Sequence, residues 1–168
     1  MTISYHWLLD YLPVSLSVEE VSEILTSIGL EVEGTEKIES IKGSLEGLLI
    51  GEVLSCEQHP NADKLSLTLV DVGDGEPKKI VCGAPNVAAG QKVIVALQGA
   101  VLYPTSGEPF EIKKSKIRGA LSEGMLCAED EIGLGVSHDG ILNLPNDIAI
   151  GTLAKDYFQV TSDYILEI

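Results

Sequence analysis

From residue 47 onward the sequence changes its period to two, and that period constrains the fold more than any other feature. GLLIGEVLSC, LSLTLVDV, KKIVCG, QKVIVALQ, FEIKKSKIRG, EGMLCA and ILNLP read as short strands split by Gly and Pro. In LSLTLVDV, Leu65, Leu67 and Leu69 alternate with Ser66, Thr68 and Val70, as in a half-buried strand. Gly73-Asp74-Gly75 is a strong hairpin turn before KKIVCG. Short strands with turn signals between them predict an all-β region of about five or six strands, closed as a small barrel or stacked as a sandwich.

A helical piece precedes this region. In SVEEVSEILTSIG, Ser17 is placed as an N-cap and Glu20 completes a capping box. Val21, Ile24, Leu25 and Ile28 make one apolar face, and Gly29 sits where a left-handed C-cap is wanted. YHWLLDYL reads as a shorter helix stopping near Pro13, and residues 35–46 read as a linker. The tail SDYILEI is an unfinished strand pattern. Its backbone groups need a partner, so it is expected to return to the helical piece, in a segment cut from a longer chain.

Charge narrows the function. The formal net charge is −15, and no segment is basic overall. Residues 1–40 hold one Lys and eight acids, and residues 41–153 hold nine Lys or Arg and fifteen acids. The usual footprint of a nucleic-acid binder is absent globally, so any such site is a local patch. Three Cys without a C-x-x-C pair predict no disulfide framework and a reducing, cytoplasmic compartment. The N-terminus lacks the features of a signal peptide, and the apolar runs are too short for a membrane span.

Two stretches carry candidate binding chemistry. HPNADKLSLTLVDVG opens on His59 before Pro60, which biases the backbone to extension. Asn61 and Asp63 can hold a turn through their side chains, and Lys64 points a cation outward. The plain alternative is a connector between the first two strands. In FEIKKSKIRG, Lys113, Lys114, Lys116 and Arg118 form the only dense basic cluster. If extended, the segment puts Lys114, Lys116 and Arg118 on one face, at about 6–7 Å spacing, which matches a phosphate backbone. The alternative is an edge strand protected by its lysines.

Other chemistry is weaker. Cys56 and His59 lack a second ligand pair with zinc spacing. Cys56, Cys82 and Cys127 each end an apolar strand, which predicts packing. Ser137-His138-Asp139 names triad residue types but reads as a turn, and Glu129-Asp130-Glu131 reads as the acidic first turn of a short helix.

In order along the chain, HPNADKLSLTLVDVG, KKIVCGAPN, VIVALQGAVL, KIRGALSEGMLCAEDEIGL and SHDGILNLP resemble the tRNA-binding OB module of aminoacyl-tRNA synthetases. SYHWLLDYLP, LTSIGLEVEG and the tail DYILEI resemble the N-terminal part of the beta subunit of bacterial phenylalanine–tRNA ligase. The resemblance implies a mainly β chain with a small α+β part: an OB-fold β-barrel at 41–152 inserted into an α+β domain made of 1–40 and 153–168. It implies that the opening loop joins barrel strands 1 and 2, and that 113–118 lies in an enlarged connection between strands 4 and 5. His59, Asn61, Lys64, Lys113, Lys114, Lys116 and Arg118 are then the expected RNA-binding residues.

The same resemblance implies a non-catalytic segment supporting tRNA(Phe) aminoacylation by the holoenzyme. Its partners would be tRNA, the alpha subunit and the rest of the beta subunit, with no membrane. No cofactor is expected in the segment, and ATP and Mg of the parent enzyme would bind outside it. The alternative is a protein-interaction or scaffold OB module with little RNA affinity, consistent with its acidic charge.

Overall fold

A computed structural model describes residues 1–168. The chain divides into two compact units, Met1–Ser40 with Thr161–Ile168, and Ile41–Val160. No helix is long and apolar enough to cross a membrane.

The first unit is a three-stranded antiparallel sheet with two helices. Strand β13 (Ser162–Glu167) lies between β1 (Thr2–Ser4) and β2 (Gly34–Glu39). The tail thus finds its backbone partners on both sides, with Ile165 opposite Ser4 and Glu36. Strand β2 occupies residues expected to be linker, because β13 supplies a partner that the local sequence does not reveal. Asp163 accepts hydrogen bonds from the Ser4 hydroxyl and from the His6 amide at the start of α1 (Tyr5–Leu9).

Helix α2 (Val18–Ser27) forms as its local signals dictate. The Ser17 hydroxyl accepts from Glu20 N at 3.2 Å, and the Glu20 carboxylate accepts from Ser17 N at 2.7 Å. At the other end Gly29 has φ +95°, Leu30 N donates to Leu25 O and Gly29 N donates to Thr26 O, a Schellman closure. The expected apolar face is buried only in part: Val21 is buried and Leu25 half-buried, but Ile24 and Ile28 are exposed.

The second unit is a five-stranded antiparallel barrel with OB connectivity. Strand β3 (Leu48–Gln58) pairs with β4 (Ser66–Asp71) and with β6 (Lys92–Leu97). Strand β4 pairs with β5 (Lys78–Cys82), and β6 pairs with β11 (Gly124–Leu126). The circuit closes where Glu123 N donates to Lys79 O and Val81 N donates to the Ser122 hydroxyl. That hydroxyl in turn donates to Gly124 O, so one side chain bridges the seam between β5 and β11.

Strand β6 explains the layering. Val93 and Val95 point into the barrel with Val53, Val70, Ile80 and Leu126. Ile94 and Ala96 point the other way, into a second cluster with Leu48, Leu102, Cys127, Ile132 and Ala154. A strand buried on both faces reads as the continuous run VIVA, and each buried Val or Ile of it contributes about 2 kcal/mol. The second cluster is covered by β7 (Val101–Leu102) paired with β8 (Phe110–Glu111), by the 3₁₀ turn Asp130–Ile132, and by α3 (Ala154–Tyr157). Strand β12 (Asn143–Leu144) adds to the free end of β6. Ala154, Phe158 and Val160 belong to this cluster, so the barrel unit runs to Val160 rather than ending at the expected 152.

One strand faces opposite to its hydrophobic pattern. In β4, Thr68 and Val70 turn into the barrel, and the Thr68 hydroxyl is satisfied by Ile80 O at 2.7 Å. Leu67 and Leu69 turn outward and share a depression with Ala120 and Leu121. The leucines are tolerated there because a neighbouring hairpin shields them, a non-local arrangement the alternation could not reveal.

Candidate nucleic-acid interface

The two candidate stretches lie at one rim of the barrel. The loop 59–65 joins β3 to β4, barrel strands 1 and 2. The basic segment lies between β6 and β11, strands 4 and 5.

The loop is built on its backbone. His59 N donates to Leu65 O, Ala62 N to His59 O and Leu65 N to Ala62 O. Gln58 Nε2 donates to the carbonyls of Ala62, at 3.2 Å, and Asp63, at 2.8 Å. The turn is therefore held by Gln58 and His59, not by the expected Asn61 and Asp63 side chains. Asn61, Asp63 and Lys64 are exposed.

His59 is 2 % exposed and does not present its ring to solvent. Its Nδ1 accepts from Asn61 N at 3.0 Å, which puts the ring proton on Nε2. Nε2 then donates to Ile117 O at 3.1 Å. His59 is thus a positioning residue that fastens the loop to the basic segment, and the expectation that it touches RNA directly is corrected by its burial.

The basic segment is a hairpin, not one extended stripe. Strand β9 (Ser115–Ile117) pairs with β10 (Ala120–Ser122), with Ile117 opposite Ala120. Arg118 and Gly119 have φ of 52° and 86°, the two-residue turn with positive φ at both positions. Arg118 therefore stands at the hairpin tip, not on a shared face with Lys114 and Lys116. Lys116 stands opposite Leu121, on the side of the outer leucine depression. Lys113, Ser115 and Ile117 line a different cavity, on the other side of the hairpin.

Several lysines of the unit are held in ion pairs. Lys78 pairs with Asp74 at 2.8 Å, Lys92 with Glu52 at 3.1 Å, and Lys155 with Glu46 at 3.2 Å. Lys114 is 3.8 Å from Glu123, whose other oxygen takes the Lys79 amide. Lys64, Lys113, Lys116 and Arg118 are exposed and make no salt bridge. The structure thus brings the loop and hairpin together, with four exposed cations that make no salt bridge; Lys79, and Lys42 over the Tyr103 ring at 6.0 Å, are likewise exposed and outside any salt bridge.

Residues that the sequence did not single out complete the rim. The Asn86 side chain donates to Ile141 O at 2.9 Å and accepts from Ile141 N at 3.0 Å. A Cβ on Gly140 would stand 2.3 Å from Asn86 Oδ1, so glycine is required for this clamp. It joins two of the motifs, CGAPN and SHDGILNLP. Beyond it His138 turns to Asp130, whose carboxylate is 3.0 Å from Nδ1. That hydrogen bond, then the charges of Asp130, Glu131 and Asp139, hold the imidazole above its ordinary range against slight desolvation. Burial pushes the Cys82 and Cys127 thiols up, which is the chemistry of packing rather than of a nucleophile. No group of three or more His, Cys, Asp or Glu side chains gathers in metal-binding geometry.

A family model described as "Putative tRNA binding domain" matches residues 48–153. Over all 168 residues the chain is 62% identical to the phenylalanine–tRNA ligase beta subunit of Bacteroides fragilis and 58% identical to that of Porphyromonas gingivalis. Against the same subunit of Salinibacter ruber identity is 42% over 178 aligned positions. The chain spans about a fifth of the length of these curated relatives, 20% or 21%. Among solved structures, a MetRS-related protein from Pyrococcus horikoshii is 24% identical with a TM-score of 0.45, covering 62% of this chain and 84% of that one. The C-terminal domain of Plasmodium vivax p43 is 22% identical with a TM-score of 0.43, covering 62% and 56%.

Proposed function

This chain belongs to the tRNA-binding domain family, as it occurs in phenylalanine–tRNA ligase beta subunits, and from that premise we propose that it holds tRNA on the synthetase without taking part in the chemistry. Aminoacylation of tRNA(Phe), with its ATP and Mg, belongs to other parts of the holoenzyme, and the partners are tRNA, the alpha subunit and the rest of the beta subunit.

One observation carries the reading: the His59–Ile117 hydrogen bond joins the loop that bears Lys64 to the hairpin that bears Lys113, Lys116 and Arg118. Each cation that neutralises a phosphate releases condensed counterions, so cations on the loop, at the hairpin tip and on the hairpin's two sides give a salt-dependent RNA contact. Lys114 is a weaker contributor because Glu123 competes for it. Asn61 offers an exposed amide for a phosphate or ribose oxygen. Because the chain is acidic overall, RNA is expected to favour this cluster of cations. The test is a titration with tRNA at low salt, repeated with Lys113, Lys116 and Arg118 changed to Glu. Loss of binding supports the reading, and binding indifferent to the three changes rejects it.

The excess of acids over bases in residues 41–153 favours a second reading, an architectural module between subunits. Deleting the barrel from the full subunit separates the two. Failed assembly with unchanged tRNA affinity favours architecture, and intact assembly with weakened tRNA binding favours the RNA contact.

A further inference from the structure

We propose that the cavity between residues 111–117, the end of β5 with its following loop, and residues 138–141 seats one unstacked, amino-bearing nucleobase of a bound RNA; this rests on the RNA-binding reading above. The cavity holds about 600 Å³, within the range of small-molecule sites. Leu65 of the loop and Ile117 of the hairpin supply two of its walls, and Met125 and Ile141 add apolar surface.

No Phe, Tyr or Trp lines the cavity, so the base would be held between aliphatic and thioether surfaces rather than on a ring. Such contacts accept any base face, and discrimination falls to the polar groups. Glu131 lines the cavity. Its Oε2 accepts from Ala128 N at 2.7 Å, and its Oε1 takes part in no hydrogen bond of the protein. A carboxylate oxygen only accepts, so it favours the exocyclic amino group of cytosine, adenine or guanine. Uracil presents two carbonyls flanking its single N–H and meets repulsion there. Glu111, an exposed carboxylate on the same lining, acts in the same sense. Lys113, exposed and on the lining, supplies a cation for an adjoining phosphate.

Cytidine and uridine 5′-monophosphates are the cleanest probes, because they differ only at the 4-position and N3. Each is titrated into the isotope-labelled 168-residue chain, and amide shifts are followed at Leu65, Ile117 and Met125. Cytidine monophosphate is expected to shift these amides and to bind roughly tenfold more tightly than the uridine nucleotide, the effect of one hydrogen bond to a charged acceptor. Glu131→Gln keeps an oxygen for Ala128 N but adds a donor, and is expected to erase the preference. Ser115→Phe, at an exposed strand position, is expected to fill the cavity and abolish both responses. Equal binding of the two nucleotides, or silent amides at these residues while tRNA still binds, overturns the nucleobase seat and leaves the tRNA reading standing. Nucleotide binding there without tRNA binding overturns that reading, and with it the seat as a site for a base of bound RNA.

Discussion

The ring of His59 hydrogen-bonds the carbonyl of Ile117, 58 residues further along the chain, at 3.1 Å. It is the contact through which a loop with one exposed lysine and a hairpin with several become one surface. His59→Ala removes both ring bonds and leaves a small void. The expected cost is about 2–3 kcal/mol, from a buried unsatisfied carbonyl and lost packing. Urea denaturation measures it, and tRNA affinity is expected to fall although no cation has been removed. Unchanged affinity in a folded variant would show that the two elements need no fastening.

The barrel makes its own demand at Gly51, where β3 passes between β4 and β6. A Cβ there would stand 2.9 Å from both Asp71 O and Val95 Cγ2, and 3.0 Å from Val70 Cγ1. Two of the three neighbours are buried valine side chains and one is backbone, so little can yield. Gly51→Ala is expected to lose about 1–3 kcal/mol by overpacking, read from the urea midpoint.

Asn86 and Gly140 are expected to act as one unit. Asn86→Ala leaves both polar backbone groups of Ile141 without their partner, at a cost of about 1–2 kcal/mol. Gly140→Ala displaces the same amide. The double variant is therefore expected to cost little more than the worse single one, and additive losses would show two separate roles.

The pairing of His138 with Asp130 sets a pH dependence. The folded imidazole titrates above its ordinary value of 6.5. Its contribution to stability is therefore fully present below pH 6.5 and is lost as pH rises through the elevated folded value. Proton NMR of His138 is expected to show the raised midpoint in the natural chain and a return toward the ordinary value in Asp130→Asn. An identical midpoint in both proteins would contradict the pairing.

What could be read ahead of the structure follows from how local each signal is. The capping box of Ser17 and Glu20 and the Gly29 closure lie within α2 and its flanks, and the residues name them directly. The positions of the barrel strands are legible through period and punctuation, and their OB arrangement through the family resemblance alone. The facing of Leu67 and Leu69 was not, since it depends on Leu121 arriving from a hairpin more than fifty residues away. The basic cluster was legible as charge, but its geometry was not. Arg118-Gly119 bends the segment where a uniform strand would have aligned its cations. The burial of the His59 ring against Ile117 O is not legible, because it depends on a hairpin 58 residues further along the chain.

The most direct measurement of the central claim is the salt dependence of tRNA affinity for the natural chain and for Lys64→Ala/Lys113→Ala/Lys116→Ala/Arg118→Ala. Each phosphate contact contributes a slope of about −0.7 to −0.9 in log K against log salt. Four contacts at this rim are expected to flatten the slope by about 3 in the quadruple variant. Equal slopes for the two proteins, with binding retained, would place the RNA elsewhere on the chain and contradict the account.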